Sequence, residues 1–387
     1  MTRTRSFRAR RIVVLALLIA VLGFAANLFW GRADPVLGEA KAPILLTWTT
    51  DSLLPDLAEA ARDVDGIGAV ATARNGVGWL TSWTADGGTP GEPPAGFMVP
   101  IEVLAVVPED YSYFVPGSHK EQFEALANGG ALLGVSGAAL RGIDEKGALT
   151  FGNTTIPVAG VVPDELVSSH EVVMSLDTSK TLGISDLKYV LVELDRGTDR
   201  SEAEDALRAK LPAGARLDLR GPADAAVFRP GGKILPQVEI KKEFGEFAGR
   251  PGSGRNLTVD PAWIEENTSN VSFPLLGETR CHNKLIPVVR EAMQDVAEKG
   301  LTGLVRRNDF GGCFAPRFLN SDPHSGISHH AWGIAFDFNV SQNPYGAEPR
   351  MDPRLVEVLE SHDLTWGGRW TEPDGMHFEY LKEPSGS

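Results

Sequence analysis

Apolar positions recur along this chain in several rhythms. The first is a near-continuous run from Ile12 to Trp30, 19 residues broken only by Gly23 and Asn27. A helix of that length just spans a hydrocarbon core of ~30 Å, so the pattern predicts a membrane-inserting segment. From Pro43 to about Val238, short strand-like and helix-like stretches alternate. Ile101 to Val107 is a strongly apolar strand ended by Pro108, and Thr150 to Val162 reads as a hairpin turning at Gly152 and Asn153. Lys188 to Leu194 is a strand, and Ser201 to Leu211 an amphipathic helix with Ser201 as N-cap and Glu204 at N3. Arg216 to Leu219 then completes a β-α-β unit. Residues 239–258 contain Lys241, Lys242 and the run Gly249-Arg-Pro-Gly-Ser-Gly254; so many breakers predict a linker. Beyond it, Leu285, Val288, Val289, Ala292 and Val296 fall at helical spacing. Asp352 and Pro353 supply an N-cap and first-turn proline for a helix through about Ser361.

These elements predict an α+β protein in four parts. Residues 1–34 form a basic cytoplasmic end and transmembrane anchor, 43–238 a mixed α/β extracytoplasmic domain, and 239–258 the linker. Residues 259–383 form a small C-terminal domain. The charge distribution supports the topology. Formal net charge is −14, yet residues 1–32 carry six arginines and no acid, leaving −14 − 6 = −20 on the rest. Five of those arginines precede the apolar run, which predicts that end inside and the bulk of the chain outside. The expected location is the cell membrane, with a single pass. Two readings stay open: a retained anchor, favoured by the length of the run, and a cleaved signal peptide. So acidic a body excludes general nucleic-acid binding, which needs basic patches. The two cysteines, Cys281 and Cys313, exclude a four-cysteine zinc module. Outside the cytoplasm they are expected to pair with each other, tying the start of the Leu285 helix to the loop at Gly311 and Gly312.

The chemistry concentrates near the C-terminus. Five of the eight histidines, His324, His329, His330, His362 and His377, lie between residues 324 and 377. His119 and His170 are isolated and read as structural. From Trp332 the segment Ser328-His-His-Ala-Trp-Gly-Ile-Ala-Phe-Asp-Phe-Asn339 reads as a strand. Trp332, Ile334, Phe336, Phe338 and Val340 take one face, and Gly333, Ala335, Asp337 and Asn339 the other. The small residues leave space beside Asp337. A straight strand would hold His330 too far away to share a metal with it, so a bend is expected near Ala331 or Gly333. In Asp374-Gly-Met-His-Phe-Glu-Tyr380, His377 and Glu379 share a strand face. His330, Asp337 and His377 are two imidazoles and a carboxylate, the donor set of a catalytic zinc site with an open position. Asp374 is the candidate general base, and Glu379 the candidate partner orienting a ligand. No HExxH motif is present, which excludes a zincin. His329 is the alternative ligand if the register shifts. His324 is expected in a loop over the cleft, and His362 at a helix C-terminus.

Ser328-x-His330-x-x-Gly333-x-Ala335-x-Asp337 followed by Asp374-x-x-His377 resembles the paired signatures of the M15 peptidases. These are VanY-type D-alanyl-D-alanine carboxypeptidases and related peptidoglycan endopeptidases, and the resemblance covers about residues 260–381. It implies a small antiparallel sheet with flanking helices and one zinc ion on His330, Asp337 and His377. It further implies Asp374 as catalytic base and a peptidoglycan stem peptide as substrate. A terminal carboxylate calls for an arginine fork. Arg317 resembles the arginine the family places before its first motif, which implies a catalytic role, binding the substrate carboxylate or steadying the oxyanion; Arg306 and Arg307 are further candidates for the carboxylate. Ser328 is a candidate substrate contact or support for the His330 loop. The expected reaction is removal of terminal D-alanine. An endopeptidase and a non-catalytic wall-binding protein are the alternatives.

In residues 43–238, the carriers are Val103-Leu-Ala-Val-Val-Pro108, Leu126-Ala-Asn-Gly-Gly130, Leu140-Arg-Gly142 and Val158-Ala-Gly-Val-Val-Pro-Asp164. They resemble the extracytoplasmic core domain of FtsX/MacB-type transporter permeases. That domain binds partners and transmits force. The permease's other membrane spans are missing here, so only a protein-binding or spacing role is implied.

Overall fold

The computed structural model describes residues 44–48, 57–210, 216–220 and 235–381, apart from loop positions 86–87, 89, 168–169, 185–186, 196 and 371. The Ile12 to Trp30 run lies outside the described residues. Among those described, no helix is long and apolar enough to cross a membrane.

Ten strands build one mixed sheet in the N-terminal part. They are β1 (Ile44–Trp48), β2 (Ile67–Leu80), β3 (Ser82–Ala85), β4 (Val99–Val106), β5 (Ala131–Gly134), β6 (Gly147–Phe151), β7 (Thr154–Val162), β8 (Val172–Ser175), β9 (Leu187–Leu194) and β10 (Arg216–Arg220). Their order is β10-β1-β9-β2-β4-β8-β5-β7-β6-β3. β4 reads as a continuous apolar run because both of its faces are covered. Leu104 and Val106 pack with Phe123 and Leu126 on one side, while Ile101 and Val103 pack with Leu149 and Ile156 on the other. The expected hairpin is β6–β7, antiparallel from Gly147↔Val158 to Phe151↔Thr154. The β-α-β unit is split: β9 and β10 both pair antiparallel with β1, which lies between them. Its helix is Arg200–Arg208, and the cap is Asp199 rather than Ser201. The Asp199 carboxylate accepts from the backbone N–H of Ser201 and Glu202.

Residues 239–258 are not a loose linker. Gln237–Phe244 is a helix, and β11 (Gly249–Pro251) pairs with β12 (Leu257–Val259). Phe244 and Phe247 are buried among Val77 and Trp79 of β2 and Phe318, Ile327 and Trp332 of the C-terminal part. The apolar positions between the breakers drive this segment into a core shared by both halves. Lys241 is equally buried. Its ammonium pairs with Glu171 at 2.7 Å and Glu246 at 2.9 Å, and Arg141 pairs with the same two carboxylates.

The C-terminal part contains a hairpin, β13 (Thr268–Phe273) with β14 (Gly277–His282), and a four-stranded antiparallel sheet. The sheet order is β15 (Phe310–Gly312), β16 (Ala335–Phe338), β18 (His377–Tyr380), β17 (Leu364–Trp366). Helices Leu285–Glu298 and Pro353–Glu360 cover one face of it. As the apolar spacing predicts, Leu285, Val289, Ala292 and Val296 are buried there against Phe336, Phe338 and Phe378. Asp352 caps the second helix through the N–H of Arg354. The opposite face carries the polar residues.

Candidate metal centre

The site grows from two adjacent strands. Asp337 on β16 and His377 on β18 are direct cross-strand partners, as are Phe336 and Phe378. Alternation therefore sends the phenylalanines into the helix-covered core and both polar side chains to the other face. His330 enters from the short 3-10 turn His329–Ala331. The chain bends where expected. Gly333 has φ +67, and a Cβ there would lie 2.9 Å from the backbone N of His282, so only glycine fits. The regular strand is shorter than its pattern. Asn339 ends it at φ 52. Trp332 and Ile334 join the core shared with β2, whereas Phe336 and Phe338 face the C-terminal helices.

Three donor atoms converge. His330 Nε2 is 3.2 Å from Asp337 Oδ1 and 3.2 Å from His377 Nδ1, and His377 Nδ1 is 3.0 Å from Asp337 Oδ1. The other nitrogen of each imidazole is engaged elsewhere. His330 Nδ1 donates to the Cys313 carbonyl at 2.7 Å, and His377 Nε2 donates to Glu379 Oε2 at 3.1 Å. Those partners select the tautomers and turn both ligand lone pairs toward Asp337. Two imidazole lone pairs facing each other beside a carboxylate need a cation between them. Tetrahedral donors at ~2.0–2.1 Å from a zinc ion stand roughly 3.3 Å apart, close to the spacing found here. Together the three residues form a group suited to one metal ion.

The electrostatics agree. Burial pushes His330 down in pKa against the pull of Asp337. Burial would also lower His377, but hydrogen bonds and charge from Asp337 and Glu379 outweigh it and hold His377 up at about 10. Burial opposes ionisation of Asp337 and Glu379 too, yet their histidine partners hold both well below the usual carboxylate range. A cation is thus strongly favoured at this point, and a metal ion would displace a proton from it.

Around the triad, Asp374 stands on the turn entering β18, with its carbonyl accepting from the His377 N–H at 3.2 Å. Its Oδ1 is buried and has no hydrogen-bond partner. Burial raises its pKa; His377 and Arg317 oppose that, while Asp337 and Glu379 add to it. Arg317 is half-buried, with Nη2 3.8 Å from Asp337 Oδ2. Ser328 is buried, and its backbone ties two parts of the site together. Its N–H donates to the Arg317 carbonyl, and its carbonyl accepts from the N–H of Ala331 in the His330 turn. Cys281 and Cys313 form a disulfide, so the carbonyl that orients His330 sits on a cross-linked residue. His329 Nδ1 lies 2.8 Å from Glu379 Oε2, an ion-pair contact not aligned as a hydrogen bond. His329 thus faces Glu379 rather than the three converging donors.

The remaining candidates lie outside the converging triad. Arg307 is exposed in the turn Arg307–Asp309 and has no ion pair with the triad, and Arg306 is exposed beside it. His324 is held against β2. Its Nδ1 donates to the Val77 carbonyl of β2 at 2.9 Å, and its carbonyl accepts from the Val77 N–H at 2.8 Å. His362 stands just past the end of its helix and reaches Asp295 on the neighbouring one at 3.1 Å. Two residues outside the motifs stand nearby: Arg255, whose neighbour Asn256 bridges Arg317, and Tyr345, whose hydroxyl is held by Glu372. Neither belongs to a motif, and the breaker-rich composition around Arg255 concealed it.

Residues 321–380 match the M15_4 peptidase family, described as D-alanyl-D-alanine carboxypeptidase. The matched segment holds all three converging side chains, Asp374 and Glu379. No curated protein matches the chain. Among solved structures, the periplasmic region of MacB from Actinobacillus actinomycetemcomitans is similar at 12% identity and a TM-score of 0.34, covering 50% of this chain and 93% of that one. The extracellular domain of the noncanonic ABC-type transporter YknZ from Gram-positive bacteria is similar at 13% identity and a TM-score of 0.30, covering 45% and 99%. Both are of the kind that the N-terminal resemblance named.

Proposed function

We propose that this protein is a membrane-anchored zinc peptidase that removes the terminal D-alanine from D-alanyl-D-alanine stem peptides of peptidoglycan. One observation carries the reading: the lone pairs of His330 and His377 meet Asp337 at 3.0–3.2 Å, with every competing ring nitrogen engaged elsewhere. These three residues would hold the zinc ion. Bound there, zinc supplies Lewis acidity, lowering the pKa of a water and polarising a carbonyl.

The rest is done by the chain's own groups. Asp374, raised in pKa by burial and with a bare Oδ1, accepts the proton of the attacking water and passes it to the leaving amine. Arg317 presents its guanidinium to the substrate's terminal carboxylate. Glu379 keeps His377 in the tautomer whose Nδ1 faces the site. The arginine cluster before Ile12 supports an anchor that places residues from about 35 onward outside the membrane. Residues 43–238 serve protein contact or spacing.

The test is D-alanine release from a stem pentapeptide by the full chain purified in detergent. The reading predicts release that chelation stops and added zinc restores. Release unaffected by chelation would overturn it. Internal cleavage products, seen by mass, would replace it with the endopeptidase reading.

A further inference from the structure

Arg255 lies in the loop joining β11 and β12, next to Gly254 at φ +61. Its backbone carbonyl accepts from the Phe318 N–H at 2.8 Å, its Nε donates to the Phe318 carbonyl at 2.9 Å, and Asn256 forms a β-bridge with Arg317. Three contacts therefore fix this exposed arginine beside Arg317. Among the described residues no carboxylate is ion-paired with it, whereas Arg317 has Asp337 at 3.8 Å. Two guanidinium groups so placed repel each other; burial lowers the pKa of Arg317, and the charge of Arg255 lowers it further. Arg317 in turn reaches Asp337 of the triad, so Arg255 stands one residue removed from the converging donors. An anion bound there offsets the repulsion, and the Nη groups of Arg255 remain available for it.

We infer that Arg255 is a second carboxylate-binding residue of the cleft, selecting peptides that carry an internal carboxylate in addition to the terminal one. This rests on the peptidase reading for the class of ligand, but its test does not require turnover. Binding is measured by calorimetry on the full chain in an Asp374→Asn background, with three stem pentapeptides. One has all its carboxylates free, and each of the others has one internal carboxylate amidated.

With Arg255 present, amidation at one position weakens binding about tenfold, as loss of one charge-assisted contact does. In Arg255→Gln that preference disappears, and Arg255→Lys keeps part of it. On the otherwise wild-type chain, Arg255→Gln raises KM for the parent peptide and leaves kcat and thermal stability unchanged. A preference that survives in Arg255→Gln, equal weakening of all three peptides, or binding of none would overturn the inference. Failure of the peptidase reading looks different: the otherwise wild-type chain releases no D-alanine, while the binding preference and its loss in Arg255→Gln persist.

Discussion

Two clusters of buried ionisable groups among the described residues differ in how their charges are balanced. Where the helix Gln237–Phe244 meets the N-terminal sheet, Arg141 and Lys241 face Glu171 and Glu246, two cations against two anions, paired in every combination. On the C-terminal sheet, His330, Asp337 and His377 turn their donor atoms toward one another, and Asp374 beside them keeps an unpartnered oxygen. The first cluster balances its own charges. The second is complete only with something added. Charge balance thus distinguishes the two, since both are largely buried.

This contrast is open to attack by substitution. The largest effect is expected from His377→Ala, which removes a donor and should reduce D-alanine release to background while the far-ultraviolet circular dichroism stays native. Asp374→Asn should lower kcat about 10²–10⁴-fold with zinc content unchanged, and lost zinc would assign Asp374 to the metal instead. In the balanced cluster, Glu171→Gln leaves buried cations in excess and should cost about 3 kcal/mol of stability by denaturant titration, with the zinc site intact. Glu379→Gln should weaken zinc binding about 10–100-fold in competition with a chelator.

The smallest effect concerns acid. Burial opposes ionisation of Glu246, but Lys241 and Arg141 hold its pKa down to about 2 from the ordinary 4.5. Its stabilisation is therefore present above about 4.5 and lost as the pH falls through about 2. Glu246→Gln should flatten that part of the acid unfolding curve.

Much of the candidate metal centre was legible in the sequence because strand alternation is local. Alternation puts His377 and Glu379 on one strand face, and Asp337 with Gly333 and Ala335 on another, without knowledge of the fold, and the need for a bend before Asp337 pointed to Ala331 or Gly333; that the two faces coincide depends on the long-range pairing of β16 with β18. The limits of that reasoning are equally specific. The alternation from Trp332 to Val340 gives no sign that Ile334 and Phe336 serve different cores, because that split depends on packing against β2. The breakers in residues 239–258 concealed Phe244, Phe247 and the buried Lys241, since a partner far along the chain decides whether such a stretch packs. His324 and Arg255 are placed by long-range backbone pairing, with Val77 and Phe318 respectively, which one stretch of sequence does not encode. Asp199 and Ser201 are both acceptable caps, and the structure uses the earlier one.

The central claim is that three converging side chains hold one metal ion. Bound zinc per chain, measured on the purified wild-type protein and on His377→Ala after equilibration against limiting zinc, tests it directly. One zinc in the wild type and none in the variant is the predicted result. Equal zinc in both, or none in either, would contradict it.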